Sequence, residues 1–492
     1  MSTDAPRLVK RLSSVALSVL GEFSDGRLVF MVLTSEALTG VRVEVTSAMS
    51  IRSNGNECTR RGDIGEVAAF RSGRAVVQVP NRFSYTVSAE GYDQPLGPYE
   101  VCISTMEADD PKYLFLSCDS DWHLPVRSTW DAMHRVEGVR AAFHMGDQVY
   151  HDLEFARIRN TLRRMTRGDA DDEAKLRTMK PFREHVRQVF FSNYMRSWRA
   201  PHKRDFLATH SNIMFGDDHE ITDDNTMANL LEGEKVFEFI KDVAIDVYQE
   251  IQGGLRHVPC TGKTDYFHKI DGNVLFVCIG RMYTMRHDVP AYMRHLEHVV
   301  TTCLEADPAV LRRVNRLVVV MSKPPLHKRP ACGRPVVTDE TDFGAFFNQM
   351  FNVWRTRMFA AADTEVRVIA GDLHAHHNFR VDSAHPTDEG RANSIEVTVT
   401  PAIVSCVPVW GSRLTLNSTL ATATELRRRK ANGFLVYHSR SREVRLHSRR
   451  YWSHFLRNEM LIGWRVARSR LGRMTLTPHQ EGTGAEEVSV DV

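Results

Sequence analysis

The spacing of hydrophobic positions gives the first part of the chain a strand-like pattern. Between about residues 15 and 104, β-branched and aromatic runs of strand length alternate with clusters of Gly, Asn, Asp and Ser. VALSVLGEF and LVFMVLT flank an Asp-Gly turn, which favours a β-hairpin over a cleaved signal segment. Further runs such as VRVEVTS, RAVVQVP and FSYTVSAEGY follow at short intervals. This part of the chain therefore predicts a small β-sandwich.

From about Lys112 onward, short apolar runs alternate with longer amphipathic stretches. The runs are uniformly apolar, as expected for strands that are covered on both faces. Helical patterns between them include EHVRQVFFSNYMRSW, EKVFEFIKDVAIDVYQEI and FGAFFNQMFNVWRTRMFAAA. We therefore expect an α/β fold, to which the later runs IEVTVTPAIVS, GFLVYHS and EVRLHS add antiparallel strands. The six apolar runs are Tyr113–Cys118, Ala141–Met145, Ser211–Phe215, Asn273–Ile279, Arg316–Ser322 and Val366–Ala370.

Composition and charge narrow the class of protein. The 492 residues are 42% hydrophobic and 25% charged, which is typical of a globular chain with more than one core. The net charge of +3 predicts neither a specific nucleic acid nor a membrane as partner. No apolar run reaches the roughly 18 residues of a membrane-spanning helix. The eight cysteines form no CxxC pair, so we expect an intracellular protein.

The changes of pattern predict three regions. We expect an N-terminal β-sandwich-like domain at 1–108, an α/β domain at 109–450, and a C-terminal helix with a disordered acidic tail at 451–492. The segment 157–204 is rich in arginine but also contains GDADDEAK, which offsets its charge. A solvated helical face is therefore favoured there over a surface that binds a polyanion.

Four of the apolar runs end in bursts of acidic and histidine residues. A single Gly-Asp after a strand is usually a turn, but four such bursts in one chain are hard to explain by chance. They are CDSDWH (Cys118, Asp119, Asp121, His123), GDQVYHD (Asp147, Tyr150, Asp152), GDDHEITDD (Asp217, Asp218, His219, Glu220, Asp223, Asp224) and GDLHAHH (Asp372, His374, His376, His377).

The bursts predict a metal site, because the carboxyl ends of parallel strands meet at one edge of a sheet. Carboxylates that are brought together there need cations, since like charges at close range cannot all ionise in a poor solvent. One or two metal ions would supply them, and the side chains suit manganese, iron, zinc or calcium. Asp224, His376 and His377 could instead support the ligands or face solvent.

The four motifs in this order resemble those of the calcineurin-like metallophosphatases. GDxxY, DDHE and GDxH are similar to the forms of the PhoD-like branch, which is also known as alkaline phosphatase D. The resemblance runs from about Pro111 to Ser405. It implies a metallophosphatase α/β sandwich, which the predicted N-terminal all-β domain would precede. It also implies two or more metal ions as cofactors. These would be iron together with calcium, or else manganese or zinc.

Two registers compete in the first motif. Cys118 with Asp119 fits the PhoD-like form, in which the cysteine ligates iron as a thiolate. Asp121 with His123 fits the D-x-H form of the wider superfamily. Cys118 is favoured because it closes the strand directly, although a cysteine in a strand can also be a buried structural thiol.

The remaining ligands follow from the resemblance, position by position. Asp147 matches the carboxylate that bridges two metals, and Tyr150 matches the phenolate that binds a ferric ion. Asp223 falls where family members carry a ligand of the other metal. Asp372 and His374 match the closing ligands of the last motif.

Two catalytic residues are also predicted, Arg281 from the resemblance and His219 from the chemistry of the proposed reaction. Arg281 aligns with an arginine near the phosphate, although Ile279-Gly280 stand where the family has Asp-Thr. His219, beside Asp218, would orient the nucleophile or protonate the leaving oxygen, or else support a ligand. Asp218 and His376 are further candidates for the metal or its surroundings.

These motifs together predict a metal-dependent hydrolase of phosphate monoesters or diesters. Two metals bridged by Asp147 would bind the phosphate oxygens and activate a water molecule for in-line attack. Two alternatives stay open. One is a metallo-nuclease or nucleotide phosphodiesterase that uses the arginine-rich segment, and the other is a non-catalytic descendant that keeps the fold and binds metal.

Overall fold

The computed structural model describes most of the chain. The described residues are 9–48, 57–108, 110–119, 127–222, 233–259, 265–280, 298, 313–325, 327–329, 347, 365–374, 376–383, 394–404, 413–415, 421–429, 431–450, 473–476 and 488–491. The predicted helix FGAFFNQMFNVWRTRMFAAA lies outside them except for Phe347.

The N-terminal part of the chain folds into two antiparallel sheets. Their strands are β1 (Ala16–Ser24), β2 (Arg27–Thr34), β3 (Leu38–Ala48), β4 (Glu57–Val67), β5 (Arg71–Gln78), β6 (Arg82–Ser88) and β7 (Leu96–Cys102). One sheet has the order β1-β2-β5 and the other the order β4-β3-β6-β7. The predicted hairpin is β1-β2, which turns at Asp25 and Gly26, both with positive φ.

Two larger sheets form the α/β part. Strands of the first are β8 (Lys112–Asp119), β9 (Val139–Met145), β10 (Asn212–Phe215), β18 (Ala402–Val404), β21 (Ala431–His438) and β22 (Glu443–Arg450). Strands of the second are β11 (Asp265–Asp271), β12 (Val274–Gly280), β13 (Arg316–Met321), β15 (Glu365–Ala370), β16 (His376–Ser383), β17 (Ser394–Val399) and β20 (Ala421–Arg429). Their orders are β10-β9-β8-β21-β22, with β18 also paired to β8, and β11-β12-β13-β15-β17-β16-β20.

The two larger sheets pack face to face. Phe115 and Phe143 of the six-stranded sheet share one core with Phe276 and Val318 of the seven-stranded sheet. Strands β8, β9 and β10 are parallel to one another, and so are β12, β13, β15 and β17. The carboxyl ends of these strands are therefore the places where the loops of a site can converge.

One expectation about strand direction is wrong for part of the chain. The run IEVTVTPAIVS contains β17 and β18, which are parallel to β15 and β8 respectively. Strand β17 lies between β15 and β16, parallel to the first and antiparallel to the second. Strands β21 and β22 are antiparallel to their neighbours, as expected.

Six described α-helices surround these sheets. They are α1 (Arg127–His134), α2 (Asp152–Met165), α3 (Asp172–Met179), α4 (Arg183–Trp198), α5 (Pro201–Thr209) and α6 (Lys235–Ile251). Helices α1 and α5 cover the outer face of the six-stranded sheet, where Trp130 and Phe206 pack against Leu114 and Leu116. Among the described residues, no helix is both long enough and apolar enough to span a membrane.

Strands β1 and β2 of the three-stranded sheet are buried on both faces, because their side chains alternate between two cores. Leu17 and Met31 pack with the buried residues of α2, α4 and α6. Leu20 and Phe30, which point to the opposite face, pack with the four-stranded sheet. The Asn212 side chain also donates a hydrogen bond to the Leu20 carbonyl (2.9 Å), which ties β1 to the start of β10.

The predicted α/β fold with a preceding all-β region is confirmed. Two short antiparallel pairs complete the described structure, β14 (His327–Arg329) with β19 (Arg413–Thr415) and β23 (Arg473–Leu476) with β24 (Val488–Asp491). The last pair is the described part of the region for which a helix and a disordered tail are predicted.

Candidate metal centre

Three overlapping groups of side chains could hold metal ions. In each group, the potential ligand atoms all lie within 4.8 Å of one another. Asp147 belongs to all three groups. They are Cys118, Asp147 and His374; Asp147, Asp218 and His219; and Asp147, Asp217, Asp218 and Asp372.

The backbone at this site is held in an uncommon conformation. Cys118, Asp147, Asp372 and His374 have φ values of 57°, 56°, 71° and 53°. They are four of the seven described non-glycine residues with positive φ, a region that L-residues rarely occupy. Such residues are costly and concentrate at functional sites. Here Cys118 lies at the end of the buried strand β8, and the other three follow the ends of β9 and β15. The sharp turn explains how consecutive strands direct their side chains into one place.

Gly371 lets the two large sheets approach each other at the site. A Cβ atom on Gly371 would lie 2.8 Å from the Cβ of Ser117, 2.8 Å from the carbonyl of Ser322 and 2.9 Å from the carbonyl of Met145. Two of these three contacts are with backbone atoms, which have little room to move. Glycine is therefore required where β15 ends between β8, β9 and β13.

Glu220 fixes the loops that carry the predicted ligands. Its carboxylate accepts hydrogen bonds from the backbone N–H groups of Asp147 (3.0 Å), Gln148 (2.7 Å) and Asp217 (2.8 Å). It also accepts one from the Gln252 side chain (3.1 Å). Both oxygens are thus used within the protein, so Glu220 acts as a brace. The sequence places Glu220 in the third burst without indicating this role.

Asp147 is a buried carboxylate with one oxygen that has no hydrogen-bond partner. The side chain is 1% exposed, and its Oδ1 atom receives no hydrogen bond from any described residue. Burial raises the pKa of Asp147 well above its usual value, and the Asp218, Glu220 and Asp372 carboxylates raise it further, against the opposing effect of His219. A positive ion at this point would remove that penalty, so the carboxylate fits a metal ligand.

Cys118 lies beside Asp147 and is fully buried. Its Sγ atom is 3.5 Å from Oδ2 of Asp147 and 3.3 Å from Oγ of Ser117. Burial raises the pKa of the Cys118 thiol well above its usual value, and the nearby Asp147 and Asp372 carboxylates add to the effect. A thiolate at this position therefore needs a cation, and metal ions bind cysteine in that form.

Tyr150 and His219 lie on the same side of the site. Their rings stack in a tilted arrangement with centroids 4.2 Å apart, and the Tyr150 hydroxyl is 3.4 Å from Nε2 of His374. Nδ1 of His219 is 2.9 Å from Oδ2 of Asp152. Burial lowers the pKa of His219, but the carboxylates of Asp152, Asp147 and Asp218 outweigh burial and raise it well above the usual value. Asp152 thereby holds the imidazole ring in place.

Lys323 is a charged residue at the site that sequence reasoning missed. Its ammonium is 3.1 Å from Oδ1 of Asp218 and 3.6 Å from Oδ1 of Asp217. Lys323 follows the end of β13, in the run MSKPPLH. A charged residue directly after a buried strand is the same signal that marks the four bursts, but here it is cationic.

Comparison with known proteins identifies the α/β part. The sequence of residues 113–270 matches the family model for PhoD-like phosphatases. The chain contains a PhoD-like phosphatase domain. A solved structure of PhoD aligns with 94% of this chain and 100% of its own chain, at 12% sequence identity and a TM-score of 0.55. A purple acid phosphatase from yellow lupin (Lupinus luteus) seeds aligns with 89% of this chain and 72% of its own, at 11% identity and a TM-score of 0.51. No curated protein sequence matches the chain.

The PhoD-like domain confirms the predicted resemblance and the class of enzyme. The protein is a phosphoric ester hydrolase, and its substrate is a phosphate ester. The clustered side chains support metal ions as cofactors. Thiol, carboxylate, imidazole and phenol groups together suit iron, zinc or manganese, and the buried Oδ1 of Asp147 lacks a partner that a metal would supply.

Two further predicted site residues have other partners. Oδ2 of Asp119 is 2.5 Å from the Lys203 ammonium, and both side chains are buried. Nδ1 of His376 lies 2.9 Å from the carbonyl of Val399, which is the position of a donated hydrogen bond. Neither Asp119 nor His376 belongs to the three groups of potential ligands among the described residues.

Four predicted site residues lie outside the residues that the structure describes. They are Asp121, His123, Asp223 and Arg281. Their roles, and the choice between the two registers of the first motif, stay predictions. Cys118, the favoured member of that motif, lies beside Asp147 and His374.

Proposed function

We propose that this protein is a metal-dependent hydrolase of phosphate monoesters or diesters, in which two metal ions bind the phosphate and activate the attacking water. The observation that carries the proposal is the shared position of Asp147, whose carboxylate belongs to three neighbouring groups of potential ligands. A single carboxylate in that position can contribute to two ion sites.

The side chains divide between the two ion sites according to their distances. We assign Cys118, His374 and the adjacent Tyr150 to one site, and Asp217, Asp218 and Asp372 to the other, with Asp147 between them. Thiolate and phenolate ligands suit iron, while a site of carboxylates suits calcium, manganese or zinc. Asp223 is an additional proposed ligand of the second site.

His219 is the proposed proton donor. Asp152 occupies its Nδ1 atom, so Nε2 is the nitrogen that remains to give a proton to the leaving oxygen. Arg281 is the proposed contact for a phosphate oxygen. We further propose that residues 109–450 form the catalytic unit, with 1–108 as the N-terminal β domain and 451–492 as a C-terminal helix and tail.

The arginine-rich segment 157–204 has partners within the protein. Arg159 and Arg163 both pair with Glu234, and Arg187 pairs with Glu250. These arginines therefore stabilise the packing of α2 and α4 near α6. Because carboxylates of the protein itself hold these arginines, they give no support to the alternative of a nuclease that binds its substrate there.

The proposal is tested by Asp147→Asn in the full-length protein. We expect hydrolysis of generic phosphomonoester and phosphodiester substrates to fall by roughly a hundredfold or more, because substitutions that only orient metal ligands already cost about 10–100-fold. Elemental analysis should show that less metal is bound. The matched control is Asp246→Asn. Asp246 is a partially exposed carboxylate of α6 that pairs with Arg183 of α4, and its variant should keep both metal and activity. Equal rates of hydrolysis by Asp147→Asn and wild type would contradict the proposal.

A further inference from the structure

We propose that Lys323 is an internal cation that holds the second ion site closed and that the second metal ion must displace. This inference rests on the proposed function, because it concerns the site of Asp217, Asp218 and Asp372. It assigns to Lys323 the role of setting how tightly the second metal binds.

The position of the ammonium carries the proposal. Nζ of Lys323 lies 3.1 Å from Oδ1 of Asp218 and 3.6 Å from Oδ1 of Asp217. These two aspartates are half of the group of four carboxylates whose ligand atoms lie within 4.8 Å of one another. A metal ion bound by the same oxygens would lie within a few ångströms of the ammonium, where the repulsion between the two cations is strong.

Burial makes the two arrangements exclusive. The side chains of Asp217 and Asp218 are 1% and 4% exposed, and that of Lys323 is 11% exposed. At this depth water screens charges poorly, so a metal ion that binds the same oxygens would be repelled by the ammonium beside them unless the ammonium moved away. The ammonium therefore stabilises the metal-free site and opposes the metal.

The first ion site does not depend on the aspartates that Lys323 holds. Its group consists of Cys118, Asp147 and His374, and contains neither Asp217 nor Asp218. The competition therefore applies to one site only. It predicts that the two ions bind in two steps, a tight step without competition and a weaker step that includes the release of Lys323.

The ion pair also connects the two large sheets. Lys323 follows β13 of the seven-stranded sheet, whereas Asp217 and Asp218 follow β10 of the six-stranded sheet. Before the second metal binds, this pair bridges the edges that form the site. A bound metal would replace this ion pair, because it would join Asp372, which follows β15, to Asp217 and Asp218.

The test is a calorimetric titration of Mn²⁺ into full-length protein from which metals have been removed. In Lys323→Met we expect the dissociation constant of the second step to be lower than in wild type by about tenfold or more. The dissociation constant of the first step should be unchanged. A second ion that binds only to the variant would equally support the proposal. Lys323→Arg keeps the charge and should leave the second step weak.

A stability measurement distinguishes displacement from a purely structural role. Without metal, Lys323→Met should unfold at a lower temperature than wild type, since two buried carboxylates lose their cation. With saturating Mn²⁺ the difference should shrink or reverse. Lys323→Gln, which keeps a hydrogen-bond donor without the charge, provides the same comparison if the methionine variant does not fold.

Lys241→Met is the matched control, because Lys241 is similarly buried and pairs with Glu238 in α6. Both of its metal-binding steps should equal those of wild type. If wild type binds two ions and Lys323→Met and Lys323→Gln leave the second step unchanged, the inference is wrong while the proposed function stands. If wild type binds no ion, the proposed function fails and the inference with it.

Discussion

The metal centre is assembled from two halves that are held by different forces. The first half comprises the loops after β8, β9 and β10, where Glu220 and the buried Lys203 hold the backbone through hydrogen bonds. The second half comprises the loops after β13 and β15, which reach the site through Gly371 and the ammonium of Lys323. The first half is positioned by bonds that a metal does not replace, whereas Lys323 pairs with side chains that a metal would bind.

The difference indicates how such a site can be both preformed and exchangeable. Hydrogen bonds to buried backbone groups fix positions regardless of metal content, because losing them leaves polar groups unsatisfied. A contact between a lysine and two potential ligands can be exchanged for a metal, because one cation replaces another. Substitutions in the first half should therefore affect folding, and Lys323 should chiefly affect metal affinity.

The largest effect is expected at Lys203, which supports the first half from α5. Its ammonium binds the Gln148 carbonyl (3.1 Å), Oγ of Ser197 (2.9 Å) and the Asp119 carboxylate. Lys203→Met would leave Asp119 buried without its cation, which typically costs about 3–5 kcal/mol of the free energy of unfolding. Chemical denaturation measures this loss.

A double variant, Asp119→Asn with Lys203→Met, should recover part of that stability, since no charge then remains unpaired. If Lys203→Met alone unfolds at the same denaturant concentration as wild type, the first half does not depend on this support and the contrast between the halves is lost.

A smaller loss is expected from Glu220→Gln. The amide nitrogen would face backbone N–H groups that now donate to a carboxylate, and an unsatisfied buried donor costs about 1–3 kcal/mol. Because the same bonds position Asp147 and Asp217, metal binding measured by calorimetry should weaken as well.

Glu250→Gln is the control for Glu220, since Glu250 accepts hydrogen bonds from Ser72 and Arg187 in another part of the protein. It should lose stability without losing metal. Undiminished metal affinity in Glu220→Gln would show that the brace is unnecessary.

The smallest effect concerns pH and the end of α5. His210 is partly buried beside Phe206, with His134 and His144 nearby, and its pKa is lowered to about 3, chiefly because the imidazole loses contact with water. The unfolded chain binds this proton below its ordinary pKa of about 6.5, so stability is lost as the pH falls from there towards 3. At pH 5.5 the loss from this residue is about 1.4 kcal/mol.

His210→Phe should remove that contribution. Thermal unfolding of wild type and variant, compared at pH 7.5 and pH 5.5, should show a smaller acid-induced decrease in the variant. An identical decrease in both proteins would mean that His210 does not titrate on unfolding.

The pattern of apolar runs was sufficient to predict most strands of the α/β part and the edge at which its loops meet. Asp147, Cys118 and His374 could be proposed because each lies at the end of such a run or shortly after it. The sequence could not show that Glu220 braces the loops while its neighbour Asp218 faces the site, since both are acids in the same motif. That distinction depends on the backbone N–H groups of Asp147 and Gln148, which are distant in the chain.

The role of Lys323 and the direction of β17 could not be predicted from the sequence for a related reason. The role of Lys323 depends on which acids lie across the gap between two sheets, and apolar periodicity carries no information about that pairing. Strand β17 lies between two strands that precede it in the chain and is parallel to β15. Its local apolar pattern predicts a strand but does not show which strands become its neighbours.

The double burial of strands β1 and β2 has a consequence for the order in which the protein folds. During synthesis, Leu17 and Met31 are made long before helices α2, α4 and α6, against which they pack. The cover of this apolar face of the hairpin is therefore complete only when α6 has been made, more than two hundred residues later. Contacts over such separations close slowly, so the N-terminal strands are the part of this chain most in need of chaperone protection.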